Sequence, residues 1–156
     1  SIRFLPPGFV VTGIILLLSD KLRKNDKDIR SIGLREAALV GCAQALAVFP
    51  GISRSGNTIT ASLAMGLDRE NAAKFSFLMS VPAAFGAMIF RMSRVLANPD
   101  LIEGLNFANL AAGFATAAVV GYLAINFMLA IIKKAKLKYF ALYYVFALAV
   151  FMLIFF

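Results

Sequence analysis

The stretch Pro50-Gly51-Ile52-Ser53-Arg54-Ser55-Gly56-Asn57-Thr58 decides how this chain folds, because it is a polar break between two short apolar segments. Upstream, Glu36 to Phe49 predicts a helix of about four turns, and downstream about Asn57 to Met65 predicts a second. At about 1.5 Å per residue each arm reaches roughly 15 to 20 Å, well short of the ~30 Å hydrocarbon core of a bilayer. The pair is therefore expected to dip into a membrane and return on the same side, as a re-entrant hairpin over about 36–66. Irregular backbone at membrane depth is tolerated only where protein buries it or where it lines a polar cavity. The break at Pro50 to Gly56 thus implies a cavity.

The membrane setting follows from composition. Of 156 residues, 61% are hydrophobic, and the mean hydropathy is +0.84. A soluble domain of this size cannot bury so much apolar surface. Phe9 to Leu18, Phe107 to Ile132 and Phe140 to Phe156 carry no charge, and the last two approach the ~20 residues that cross a bilayer. Working outward from the hairpin, spans are predicted at about Phe4 to Ser19, at Glu70 to about Arg94 with a kink at Pro82, at Phe107 to Ile132 and at Tyr139 to Phe156.

Charge supplies an independent check. The chain carries a net +8, concentrated in two connections: Lys21, Arg23, Lys24, Lys27, Arg30 and Arg35 in one, Lys133, Lys134, Lys136 and Lys138 in the other. Loops kept in the cytoplasm show this bias. The proposed spans place both on one side, put the loop of Asp100 and Glu103 on the other, and leave Ser1 and Phe156 extracytoplasmic. The expected fold is all-α and integral to the membrane: about four transmembrane helices plus one re-entrant hairpin, in a single domain over 1–156. Because the positive charge is explained this way, nucleic-acid binding is not expected. Gly113 and Gly121 predict close helix packing, and Tyr139, Tyr143 and Tyr144 an interfacial belt. Cys42 has no partner for a disulfide or thiolate metal site and is expected to be a small buried hydrophobe. The chain starts at Ser1 without signal-peptide features, which reads as a fragment or processed chain.

Arg54 is the most informative residue. An arginine near the bilayer centre costs on the order of 2.5 to 3.5 kcal/mol and is usually retained for function. Snorkelling to an interface is the bland alternative, and it does not suit a residue at the hairpin tip. Ser53, Ser55 and Thr58 offer hydroxyls around it, while Gly51 and Gly56 allow backbone amides to approach a ligand. Ser55 to Thr58 also opens the second short helix, whose free amides and dipole favour an anion. Guanidinium, hydroxyls and a helix N-terminus together fit phosphate or diphosphate. The Walker pattern is absent, so a lipid phosphate is the natural ligand.

The run P-G-I-S-R-S-G-N-T, with the downstream G-L-D-R-E-N-A-A-K-F-S-F-L-M-S-V-P, resembles the undecaprenyl-diphosphate phosphatases, also called bacitracin-resistance proteins. The resemblance covers essentially the whole chain but only the C-terminal part of the family's usual length. It implies a fold of two inverted repeats, each with a re-entrant hairpin, of which this chain holds the second. It implies that Arg54 is the essential arginine gripping the diphosphate, with Ser53 and Thr58 beside it as catalytic residues. Gly51, Ser55, Gly56 and Asn57 would complete the cradle, with Gln44 before the loop and Ser76, in Phe75-Ser76-Phe77-Leu78, behind it. The implied reaction is hydrolysis of undecaprenyl diphosphate to the monophosphate, dependent on a divalent cation such as Mg or Ca. It recycles the cell-wall carrier lipid at the bacterial plasma membrane, in a multi-pass protein.

The family's first repeat supplies paired glutamates and an S-S-T-G-H run, and neither occurs here; the chain has no histidine. Glu36, Asp68 and Glu70 read as interfacial charges rather than as bases or metal ligands. No metal-binding residue is therefore assigned, and half of an enzyme is expected. For a chain truly beginning at Ser1, two copies paired in inverted orientation, a homodimer, would still lack those groups, and binding would be more plausible than hydrolysis. Ser53 either hydrogen-bonds the phosphoryl group or attacks it. A transporter or flippase for an anionic lipid or phosphate is the second reading, since broken helices and inverted repeats also build transporters. A structural subunit whose loop merely packs is the third.

Overall fold

A computed structural model describes residues 5–19, 21–22, 26–98, 100, 104, 106–134 and 138–155. The described residues form helices and turns: α1 Leu5–Ser19, a 3-10 turn Ile29–Ser31, α2 Leu34–Leu46, α3 Arg54–Ala64, α4 Arg69–Ala97, α5 Phe107–Lys134 and α6 Lys138–Phe155. Ser1, Phe4, Arg23, Lys24, Glu103, Lys136 and Phe156, invoked above, lie outside the described residues.

Local chemistry sets the helix ends. Pro6 and Pro7 occupy the first turn of α1, where the missing amides have no carbonyl to reach. At the start of α2 the Glu36 carboxylate accepts from the Gly33 amide and pairs with Lys27. Asp68 caps α4 by accepting from the Asn71 amide at 2.9 Å. Glu70 pairs with Lys74 one turn on, at 2.7 Å. The turn from α3 to α4 needs Gly66 at φ 99°, and Lys27 clips it by hydrogen bonds to Gly66 and Asp68.

α2 and α3 lie side by side, tied where Asn57 Nδ2 donates to the Ala43 carbonyl at 2.7 Å. α3 packs in turn on α4 and α1, and α6 lies along α1. The core collects at the base of the hairpin, from Ile59, Leu63, Leu67, Ala72, Ala73 and Ile132. A bond between Thr58 and Ser76 sets the level of the break. Because α3 and α4 run in opposite directions, Arg54 falls near the level of Ser80, roughly 16 Å along α4. With 29 residues, α4 is roughly 43 Å long, so the break lies nearer its middle than its ends.

Two helices, Arg69–Ala97 and Phe107–Ile132, are long and apolar enough to cross a membrane; Leu5–Ser19 and the stretch Leu142–Phe151 are shorter. The two long helices bury only 11% and 6% of their most apolar windows, whereas a soluble core helix would bury most of its surface. Phe85, Ile89 and Phe90 on α4, and Phe114, Val120 and Phe127 on α5, are exposed. Continuous apolar surface of this extent belongs in lipid or against protein, and the molecule is an all-α membrane protein.

Three expectations change. α3 begins at Arg54 rather than Asn57, because Ser53 caps it by accepting from the Gly56 amide at 3.2 Å. Cys42 is exposed, because it falls on the open face of α2 rather than against α3. Gly113 and Gly121 have open space where a Cβ would be, so neither marks a close helix contact among the described residues.

The Lys27 ammonium, and after it the Gly33 amide, hold the Glu36 carboxyl below its ordinary range. A depressed folded-state pKa stabilises above the ordinary value, and the contribution disappears as pH falls through the folded one. Melting temperature is thus expected to be insensitive to this group from neutrality to about pH 4.3 and to decline below it. Glu36→Gln should make that acid limb shallower while leaving its neutral end lower.

Candidate functional site

The site is built on the turn between α2 and α3. Gly51, at φ 88°, reverses the chain after Pro50. The turn then lies against α1 so closely that a Cβ on Gly8 would sit 2.3 Å from the Pro50 carbonyl oxygen, and one on Gly51 2.5 Å from the Leu5 carbonyl oxygen. One turn further along α1, the buried Thr12 hydroxyl donates to the Gly51 carbonyl at 3.1 Å and accepts from the Ser53 amide at 3.0 Å. Both ends of the Gly51-Ile52-Ser53 segment are thereby fixed by one side chain of another helix.

Ser53 delivers the chain into α3. Its Oγ accepts from the Gly56 amide, which leaves its own O–H available as a donor. The amides of Arg54 and Ser55 occupy the first helical turn, where no carbonyl lies behind them. Both side chains are exposed, and Arg54 forms no ion pair among the described residues. An exposed guanidinium, two hydroxyls and a helix N-terminus therefore lie within three consecutive residues, on the rim of the turn.

The other sequence-predicted residues stand behind this rim. Thr58 is 1% exposed, and its hydroxyl contacts the Arg54 and Ser55 carbonyls at 3.0 and 3.3 Å and the Ser76 hydroxyl at 2.6 Å. Asn57 is buried and holds α2. Gln44 lies on α2 with a buried Oε1 that has no partner among the described residues. Thr58 and Ser76 thus form a buried bracket between α3 and α4. Removing either hydroxyl leaves the other short of a partner, so Thr58→Val and Ser76→Ala are each expected to cost about 1–2 kcal/mol. A double-mutant cycle should show coupling near ~1 kcal/mol, and strictly additive costs would show that the two hydroxyls do not stabilise each other.

Two openings adjoin the rim. One, about 490 Å³, is lined by Ser55, Ile59, Ser76 and Phe77 and by Ile125 and Met128 of α5. The other, about 180 Å³, lies among Ser53, Ser55, Gly56, Leu16, Tyr143 and Tyr144. Tyr144 packs against Phe9 with ring centroids 6.0 Å apart and meets Tyr143 edge-on at 5.9 Å. The two tyrosines, expected as a belt, line a cavity in this fold.

Over residues 3–151 the sequence matches the family described as bacitracin resistance protein BacA. The chain belongs to this family. It is 45% identical over 143 residues to a protein of Treponema denticola named undecaprenyl-diphosphatase, covering 92% of this chain and 52% of that protein. It is 44% identical over 147 residues to one of the same name from Methanothermobacter thermautotrophicus, covering 92% and 78%, and 48% identical over 140 residues to one from Caldicellulosiruptor bescii, covering 90% and 51%. The chain thus spans about half the length of most of these curated relatives.

The described residues offer no side-chain cluster suited to hold a divalent cation. They contain no group of three or more His, Cys, Asp or Glu side chains. Glu36 and Asp68 cap helices, and Glu70 pairs with Lys74, all at the base of the hairpin and away from the Arg54 rim. What the residues of the turn offer is anion binding. Sequence reasoning missed Gly8 and Thr12. Their spacing of four on an otherwise apolar helix was the available signal, since it places them on one face.

Proposed function

We propose that this chain forms the diphosphate-binding half of an undecaprenyl-diphosphate phosphatase, a multi-pass protein of the bacterial plasma membrane that regenerates the carrier-lipid monophosphate. The observation that carries the reading is the Ser53-capped start of α3: it puts Ser53, Arg54 and Ser55 at one helix N-terminus, where Ser55 also lines an apolar cavity. A polyisoprenyl diphosphate has the matching two-part chemistry. Its charged head suits the guanidinium, hydroxyls and helix dipole, and its tail suits the space between α3, α4 and α5.

In this reading α2 and α3 re-enter the bilayer with the anion grip at depth, which the mid-α4 level of the break supports. Arg54 stabilises charge on the transferred phosphoryl group in a setting of low dielectric, where such a contact is strongest. Ser53 acts as a hydrogen-bond donor rather than as a nucleophile. Its oxygen already accepts from Gly56, and the hairpin supplies no histidine or free carboxylate to remove its proton. Thr58, Ser76 and Asn57 hold this geometry from behind. Proton transfer and any divalent cation are assigned to groups outside these 156 residues.

The test is phosphate release from undecaprenyl diphosphate by the intact protein in vesicles, followed together with movement of the lipid between leaflets. Release of one phosphate per lipid supports the proposal. Lipid that changes leaflet with its diphosphate intact would overturn it in favour of a flippase.

A further inference from the structure

We infer that Thr12 of α1 is a positioning residue for the reaction, holding the Gly51–Ser53 turn in the shape that presents Ser53 and Arg54 to the diphosphate. The inference rests on the phosphatase reading above. It starts from a hydroxyl in the apolar middle of α1 that is 2% exposed and so needs internal partners. Those partners both belong to the functional turn, 39 and 41 residues further along the chain. Thr12 donates to one and accepts from the other, so its single oxygen reads the turn's carbonyl and its amide together.

Both contacts bear on the rim. Anchoring the Gly51 carbonyl keeps that oxygen, which would repel a phosphate, pointed into α1. Anchoring the Ser53 amide sets the backbone of the residue that caps α3 and immediately precedes Arg54. The close approach at Gly8 brings α1 near enough for a side chain as short as threonine to reach. Valine has the same shape without the hydroxyl and leaves an unpaired carbonyl and an unpaired amide. The turn then has reason to rotate, and a displacement of about 1 Å at a reacting centre can cost up to ~100-fold in rate.

The experiment compares wild type, Thr12→Val, Thr12→Ala and Thr12→Ser in the intact protein reconstituted in vesicles, with rates expressed per folded molecule. Thr12→Val and Thr12→Ala are expected to lower kcat for phosphate release about tenfold or more, with KM changing less than about threefold, because alignment rather than attachment is lost. Thr12→Ser, which keeps the hydroxyl, should remain within about threefold of wild type. Thr12→Ala covers the case in which valine prevents folding, since it adds no bulk. Wild-type kcat in the folded fraction of both hydroxyl-free variants, or equal loss in Thr12→Ser, would overturn the positioning role alone. Absence of release from wild type would overturn the phosphatase reading, and this inference with it.

Discussion

Arg54→Ala is expected to reduce phosphate release by about 10³-fold or more, the scale seen when an arginine that neutralises a transferred phosphoryl group is lost. Stability should hardly change, because Arg54 is exposed and has no ion pair among the described residues. This separation of activity from stability is what distinguishes a ligand-facing arginine from one that supports the fold. Arg54→Lys keeps the charge but loses the planar fork, and should recover only part of the rate. Release kinetics beside a melting curve settle the matter. Near wild-type release in Arg54→Ala would remove the diphosphate from this rim, while a large fall in melting temperature would assign Arg54 to the fold.

The second large effect is expected at the contact between α1 and the turn. Gly8→Ala and Gly51→Ala each place a methyl group against backbone, which cannot swing away as a flexible side chain can. Gly51 also has a positive φ that alanine adopts only with strain. Overpacking and backbone strain each cost about 1–3 kcal/mol, so a loss near ~3 kcal/mol is expected for either variant. The loss should be local at first, with faster amide exchange at residues 51–56 before the base of the hairpin opens. Stability and exchange in Gly8→Ala equal to wild type would mean that α1 does not press on the turn. Gly13 on the same helix is a suitable control, since a Cβ there meets open space.

Much of this was legible in the linear chain because it depends on composition and short-range pattern. Uncharged runs mark helices that suit lipid, and Pro-Gly followed by hydroxyl residues marks a break that leads into a helix. The cluster of Ser53, Arg54 and Ser55 was likewise visible, since neighbours in sequence must be neighbours in space. Even there the start of α3 was misplaced by three residues. The cap is set by a hydroxyl reaching an amide three positions on, a geometry that serine permits without compelling. An unpartnered cysteine in an apolar segment predicts an interior position for Cys42. Its actual exposure depends on which face of α2 meets α3, and a helix with weak amphipathicity does not announce that face.

The sequence by itself determined the all-helical membrane character, the polar break and the arginine within it, because hydropathy, backbone breakers and charge act over a few residues. Only the tertiary structure decided that Thr12 and Gly8 support the turn, that Thr58 is braced by Ser76 rather than open to solvent, and that Tyr143 and Tyr144 line a cavity. Each of these joins residues distant in the chain. Such pairings are selected by how whole helices pack, which no local pattern encodes.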